Sequence, residues 1–407
     1  MKNFIKSKDF KFWIILGIFG ILFVIWSFDK EIIPQNTTLY VMSYDYGFVS
    51  RGLLGTIWSG IGKLTGLNTM SYDGIYALSK LMLVVFLIVL MLFFLQLILK
   101  TKEQDKKYMY YLIVFFSIFN FPFFADKHNF GRVDVILVIL TFICCMLIVQ
   151  GILEWLVPIL CGIAMLFHHG FVFMYVNIIL ILLLFKALKD TTKISRKYMA
   201  LFVITLLVVS ALFIYFEFIS TYDLTEAQGQ QMIEYAKSLS LDGEEYGESL
   251  INHEVFGKDV FADEWLYHVI CYVETPIFLV LFSPYIVLFV LFFRNVLKDA
   301  KGDKLTFFKY LMLLLGGATN LPELILKIDY GRYAYSLTFY YLGAILCLMA
   351  MGDKIIWSNI KSLMHTVKTK VYVAEILVAY PIIYMPFYDV YICKAVGRLL
   401  YHGFGLG

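Results

Sequence analysis

Long apolar runs, each cut off by a short polar cluster, recur along nearly the whole chain. A helix that crosses a bilayer needs about 20 mainly apolar residues. By that ruler about eleven runs qualify, near 12–28, 78–99, 108–125, 133–149, 152–168, 170–187, 199–219, 268–293, 308–326, 335–351 and 371–388. The pattern predicts an all-α polytopic membrane protein, a single integral membrane domain over 1–407. It has a first external loop over 29–77 and a long external loop over 220–267, between the seventh and eighth spans.

Charge orders the loops. Lys and Arg collect on the cytoplasmic side of membrane proteins. With the N-terminus inside, the stretches Lys100–Lys107, Lys186–Lys197, Arg294–Lys309 and Lys354–Lys370 all face inward, and all are lysine-rich. The long external loop is acidic instead, carrying Asp223, Glu226, Glu234, Asp242, Glu244, Glu245, Glu248, Glu254, Asp259, Asp263 and Glu264 against Lys237 and Lys258. An odd number of spans then leaves the C-terminus external. The opening "MKNFIKSKDFK" is a basic flank, and "WSFDK" after the first run is no small-residue cleavage site, so an uncleaved anchor is expected.

Composition agrees with a lipid solvent. Of 407 residues, 61% are hydrophobic and 16% charged, where a soluble domain carries roughly 25% charge. The mean hydropathy is +0.78. A net charge of +3 and the lack of a basic aromatic module give no sign of nucleic acid. Cys144, Cys145, Cys161, Cys271, Cys347 and Cys393 fall mostly in apolar runs, without metal-ligand spacing or external pairing. They read as small apolar residues, and the sequence names no cofactor.

The first external loop holds the most unusual stretch, "SYDYGFVSRGLLG" from Ser43 to Gly55. After it, Leu53, Leu54, Ile57, Trp58 and Ile61 form one oily face at helical spacing. With Trp58 at headgroup level, the pattern predicts a helix lying in the interface, which would hold Asp45 just above the lipid. Other short connections bring polar residues to the same side: Asp126, Lys127, His128, Arg132 and Asp134, then His168 and His169, then Glu323, Lys327, Asp329 and Arg332. A carboxylate serves as general base for a hydroxyl. Arginine forks match phosphate oxygens, and histidines transfer protons. Together these suit a substrate with a lipid tail, a phosphate or diphosphate, and a sugar. Each group also has a structural reading. Arg132 and Asp134 would cap a helix end at the headgroups, His168 and His169 would form a plain turn, Asp329 and Arg332 would pair locally, and the acidic loop would be a solvated face.

An acidic residue in the first external loop, an interfacial helix after it, and many spans with polar ends gathered outside resemble the GT-C glycosyltransferases. Those membrane enzymes take sugars from polyprenyl-phosphate carriers. The resemblance covers about the first seven spans and implies catalysis at the outer face with a first-loop aspartate as base, for which Asp45 is the matching position. A second resemblance is to the O-antigen and capsule polymerases, whose external loops carry an arginine followed eleven residues later by glycine. Arg51 with Gly62 and Arg332 with Gly343 fit that spacing, although Gly343 falls inside an expected span.

The expectation is a glycosyltransferase or polysaccharide polymerase of the bacterial plasma membrane, using polyprenyl-(di)phosphate-linked donors in cell-surface glycan synthesis. Asp45, His168 and His169 are the catalytic candidates. Arg51, Asp126, His128, Arg132, Asp134, Glu323, Asp329 and Arg332 are candidates for holding substrate, and no metal site is expected. The carrier-linked glycan and the bilayer are the expected partners, with other envelope glycan assembly proteins beside them. The alternative is a transporter or flippase for lipid-linked glycans. The span centres are nearly clean of the ionisable residues that mark transport paths: Gln96 and Asn177 are the notable polar groups there, Glu217, Glu274 and Glu323 lie toward outer ends, and Glu375 lies toward the inner one. No Walker loop, HExxH or nucleophile elbow occurs either.

Overall fold

Ser71 ends one segment and starts another. Its hydroxyl accepts a hydrogen bond from the Gly74 amide at 3.2 Å, an N-cap that satisfies an orphan donor of the first turn. The helix therefore begins ahead of the apolar run that defines it. The computed structural model describes residues 39–125, 130–190, 193–220, 225–238, 265–320 and 330–366, with isolated positions between 10 and 37 and at 370 and 373. Side chains at 118–125, 226, 265–282 and 330–334 fall outside that description.

The described elements are helical throughout, without a strand among them. In chain order they are α1 (Gly52–Thr65), α2 (Tyr72–Lys100), α3 (Lys106–Ala125), α4 (Asp134–Gln150), α5 (Val157–Phe167) and α6 (Val176–Ala187). Then come α7 (Arg196–Ile214), α8 (Glu226–Ser238), α9 (Trp265–Ala300), α10 (Lys304–Leu315), α11 (Tyr330–Ala350) and α12 (Lys354–His365). A π-helical turn, Tyr215–Ile219, extends α7.

Two described helices, Tyr72–Lys100 and Arg196–Ile219, are long and apolar enough to cross a membrane. Tyr335–Ala350 and Lys354–His365 make a third if taken together, although they meet at a bend of 114°. Asp134–Gln150, Glu154–Phe167 and Val176–Ala187 are shorter apolar helices. The sequence pattern marks those three as spans as well, and the run over 170–187 is broken at Tyr175 into Phe171–Met174 and Val176–Ala187. The outward faces are those of lipid-solvated helices. On α2, Leu81, Ile88, Leu92, Leu95 and Leu99 are exposed in a single stripe, and on α7 Val203, Ile204, Leu207 and Ile214 are exposed. Water would not tolerate so continuous an apolar surface.

Inside, α2 packs on α4, α4 on α5, α5 on α7, α7 on α6, α6 on α11 and α11 on α3. An aromatic seam joins them. Phe93 and Phe142 lie 4.8 Å apart between ring centroids, Phe142 and Phe339 5.4 Å, Phe116 and Phe339 5.8 Å, and Tyr175 meets Phe339 edge-on at 5.5 Å. In lipid such van der Waals packing, rather than escape from water, holds helices together, and each aromatic pair adds about 0.5–1.5 kcal/mol. Cys144, Cys145, Cys161 and Cys347 are buried free thiols in this interior.

The polar groups gather at the two ends. At one, Lys361 of α12 pairs with Asp105, Tyr108 meets His365 at 2.9 Å, and Asn359 donates to Asp299 at 2.8 Å. Three of the lysine-rich connections thus meet in one place. Buried Glu154 accepts from Tyr198 at 2.7 Å and from Lys197 at 3.0 Å, tying the turn before α5 to the start of α7. The candidate residues that are described lie at the opposite end.

Candidate functional site

The first loop is stitched to the turn ahead of α4. Asn36 donates through Nδ2 to the Phe130 carbonyl at 2.8 Å, and the Tyr40 hydroxyl donates to the Gly131 carbonyl at 2.8 Å. Gly131 sits at φ 83°, a backbone state open to glycine but strained for other residues. Arg132 and Asp134, immediately after it, are both buried. Asp134 lies in the first turn of α4, where the helix dipole favours negative charge.

Helix α1 rides on the same loop through its glycines. A Cβ at Gly55 would stand 2.2 Å from the Met42 carbonyl oxygen and 2.4 Å from that of Tyr40. Leu54 is therefore buried, while Ile57, Ile61 and Leu64 point outward. The expected helix is present, but its oily face is divided: Leu54 serves the interior, Trp58 is half-buried, and the exposed stripe runs further along, to Leu64. Gly62 and Gly343, singled out by their spacing from arginines, are both packing positions. A Cβ would meet Thr69 Oγ1 at 2.4 Å in the first case and Ile178 at 2.9 Å in the second.

Asp45 sits in the 3-10 turn Tyr44–Tyr46. It pairs with Lys63 of α1 at 3.1 Å, with its side chain 58% exposed. Beside it, the Tyr46 ring lies 6.4 Å from Tyr235 of α8, so the described part of the long loop comes down over Asp45. Burial, each other's phenol and the Asp45 charge hold the Tyr46 hydroxyl above its ordinary pKa. Burial alone pushes Tyr44 up to about 12.

A second polar group forms one strand of chain away. Ser50 Oγ and His169 Nδ1 share a hydrogen bond, and His169 Nε2 stands 3.5 Å from Glu217 Oε2. Phe48 packs against Tyr215 and Phe216 at 5.3 Å each, which fixes the loop carrying Ser50 on the π-helical turn carrying Glu217. Arg51, next to Ser50, takes φ 65° as it enters α1. His168 is buried and uses Nδ1 to accept from the Gly170 amide at 2.9 Å, which orders the turn that presents His169.

Of the expected site residues, His169 is joined to the first loop next to Arg51, while His168, Arg132 and Asp134 are buried close to their helix ends. Asp45 keeps to its own pair with Lys63. Asp126, His128, Glu323 and Asp329 lie outside the described residues, and Arg332 is placed on the first turn of α11 by its backbone alone. Ser50 and Glu217 are partners that sequence reading did not single out for the site. The available signals were a serine directly before Arg51 and a single acid in an apolar run. No protein family, curated protein or solved structure matches this chain.

Proposed function

We propose that this chain is a multi-pass membrane enzyme that transfers sugar from a polyprenyl-(di)phosphate-linked donor at the outer face of a bacterial plasma membrane, as a glycosyltransferase or polysaccharide polymerase. The supporting observation is convergence. Connections distant in sequence are bonded together at one end of an apolar bundle: residues 36–50 to the 130–131 turn, and Ser50 to the 168–170 turn and thence to Glu217. Carboxylates, imidazoles and arginines so gathered supply the base and the anion-holding forks that glycosyl transfer from a phosphate requires. In this reading Arg51 and Arg132, with Arg332, hold the (di)phosphate. Asp45 and Lys63 engage the acceptor's hydroxyl groups, and α8 covers them. Helix α1, with Ile57, Ile61 and Leu64 outward, lies in the outer leaflet interface, and the span count of about eleven follows the hydropathy pattern.

Transport is the less supported reading. The polar groups at span centres are spent on packing: Gln96 donates to the Met146 carbonyl at 2.9 Å, and Asn177 donates to Gly316 and Thr319 at 3.2 and 3.1 Å. Such bonds tie helices together. Deletion of the gene, with analysis of the lipid-linked saccharides that accumulate, tests the proposal. A truncated intermediate indicates a transferase, and a complete single repeat unit a polymerase. A finished precursor trapped on the cytoplasmic leaflet would make it a flippase and overturn the proposal.

A further inference from the structure

We propose that Ser50, His169 and Glu217 form the proton-accepting line of the transfer, with His169 Nδ1 as base, Ser50 as the hydroxyl that relays the acceptor's proton, and Glu217 as a positioning carboxylate. The proposal rests on the reading of this chain as a sugar-transferring enzyme.

Three separate elements contribute. Ser50 comes from the first loop, His169 from the turn after α5, and Glu217 from the π-helical turn after α7. A π-helical turn inserts an extra residue into the helical repeat and re-aims the side chains within it; such turns are rare and frequent at functional sites. Here Glu217 is the central residue of that turn, and Phe48 grips its two predecessors.

In the proposed line His169 carries its proton on Nε2, toward the Glu217 carboxyl group 3.5 Å away, because the charged form of a carboxyl group only accepts hydrogen bonds. That leaves Nδ1 with its lone pair toward Ser50, whose hydroxyl donates to it. The three members grade outward from the interior: Ser50 is buried, the His169 side chain is 18% exposed and that of Glu217 is 47% exposed. Glu217 is too exposed for this pair to be a buried ion pair. Its contribution is to hold the ring and its tautomer. Among the described residues, His168 lies beside His169 with ring centroids 5.4 Å apart, and Arg51 is the neighbour of Ser50 in sequence. Asp45 is already engaged by Lys63.

The step balances without a further reactant. The acceptor oxygen bonds to the anomeric carbon as its O–H bond breaks. Its proton passes to Ser50 Oγ while the Ser50 proton passes to His169 Nδ1. The anomeric carbon–oxygen bond to the (di)phosphate breaks, and its electron pair leaves with the phosphate. The imidazolium, held against Glu217, then returns its proton to solvent.

Two measurements on the full-length protein test this. In protein labelled with 15N-histidine and held in lipid nanodiscs, His169 should appear as the Nε2–H tautomer. Glu217→Gln should lower its titration midpoint by about one pH unit. An Nδ1–H tautomer, or a midpoint unmoved by that substitution, overturns the line. The second measurement uses membranes of the deletion strain, carrying their native lipid-linked saccharides. There His169→Gln should slow glycan assembly at least about a hundredfold. Ser50→Ala should slow it strongly, with Ser50→Thr recovering at least about a tenth of the wild-type rate because a hydroxyl is restored. Glu217→Gln should move the acid limb of the rate profile, with Glu217→Asp moving it back. A wild-type rate from His169→Gln, or covalent labelling of Ser50 by a fluorophosphonate, overturns the relay. If deletion leaves every lipid-linked saccharide unchanged, the enzymatic reading itself has failed, and the NMR result still reports whether the line exists.

Discussion

Trp58 and Thr69 hold each other twice. The indole Nε1–H donates to the Thr69 carbonyl at 2.7 Å, and the Thr69 hydroxyl donates to the Trp58 carbonyl at 2.9 Å. The double bond folds residues 67–69 back under α1 and sets where the helix ends. Gly66 completes the reversal, its amide donating to the Gly62 carbonyl at 2.9 Å from a left-handed conformation, the usual helix-ending arrangement.

Replacing Trp58 with Phe keeps the ring and removes the donor. The Thr69 carbonyl then loses a partner, at a cost of about 1 kcal/mol. Hydrogen exchange should show faster opening of residues 52–69, with the rest of the bundle unchanged.

Two glycines of α1 should behave oppositely. Gly55→Ala drives a methyl into the Met42 and Tyr40 carbonyls and should detach α1 or lower the yield of folded protein. Nothing lies within 4 Å of a Cβ at Gly60, so Gly60→Ala should leave stability equal or raise it by about 0.5–1 kcal/mol through helix propensity. Thermal denaturation in the same detergent compares the two.

Asp45→Asn separates function from folding. An exposed ion pair such as Asp45–Lys63 contributes about 0–1 kcal/mol, so protein level and melting temperature should hold. A charge-assisted bond to substrate is stronger, about 1.5–3 kcal/mol, so glycan assembly should fall roughly tenfold or more. Wild-type activity removes Asp45 from the site.

Arg132→Lys keeps the charge and discards the planar fork. If the guanidinium grips a (di)phosphate in bidentate fashion, donor binding should weaken several-fold in an assay titrating the lipid-linked donor. Unchanged binding removes Arg132 from the donor site and leaves it a buried structural residue.

Glu154→Ala at the opposite end should cost stability without touching the chemistry. It strips the half-buried Tyr198 hydroxyl of its acceptor and Lys197 of its partner, a loss of about 1–3 kcal/mol. Melting temperature should drop, while the lipid-linked saccharide profile should keep its wild-type composition.

What the sequence conveys about this protein follows from how locally each feature is encoded. Apolar runs betray helices because their length is enough: α2, α4, α7 and α11 each overlap most of the run that marks them. The helix after Arg51 is legible through the spacing of its apolar residues. Its division into an inward Leu54 and an outward Leu64 is not, because Gly55 decides it by meeting two carbonyls from residues 40–42. The Ser50–His169–Glu217 line is equally invisible in one dimension. It depends on a π-helical turn and on aromatic contacts of Phe48 that no periodicity reports. Asp45 is conspicuous by its neighbours in sequence, and the partner it finds, Lys63, is set by the length of α1.

The 114° bend between Tyr335–Ala350 and Lys354–His365 makes a crank of the C-terminal half. At 1.5 Å per residue, α12 is an arm of about 18 Å set almost crosswise on the end of α11. A twist of about 10° in α11 would swing the arm's tip by about 3 Å. Whatever turns the Arg332 end of α11 would therefore be felt, magnified, where Lys361 meets Asp105 at the other end of the bundle.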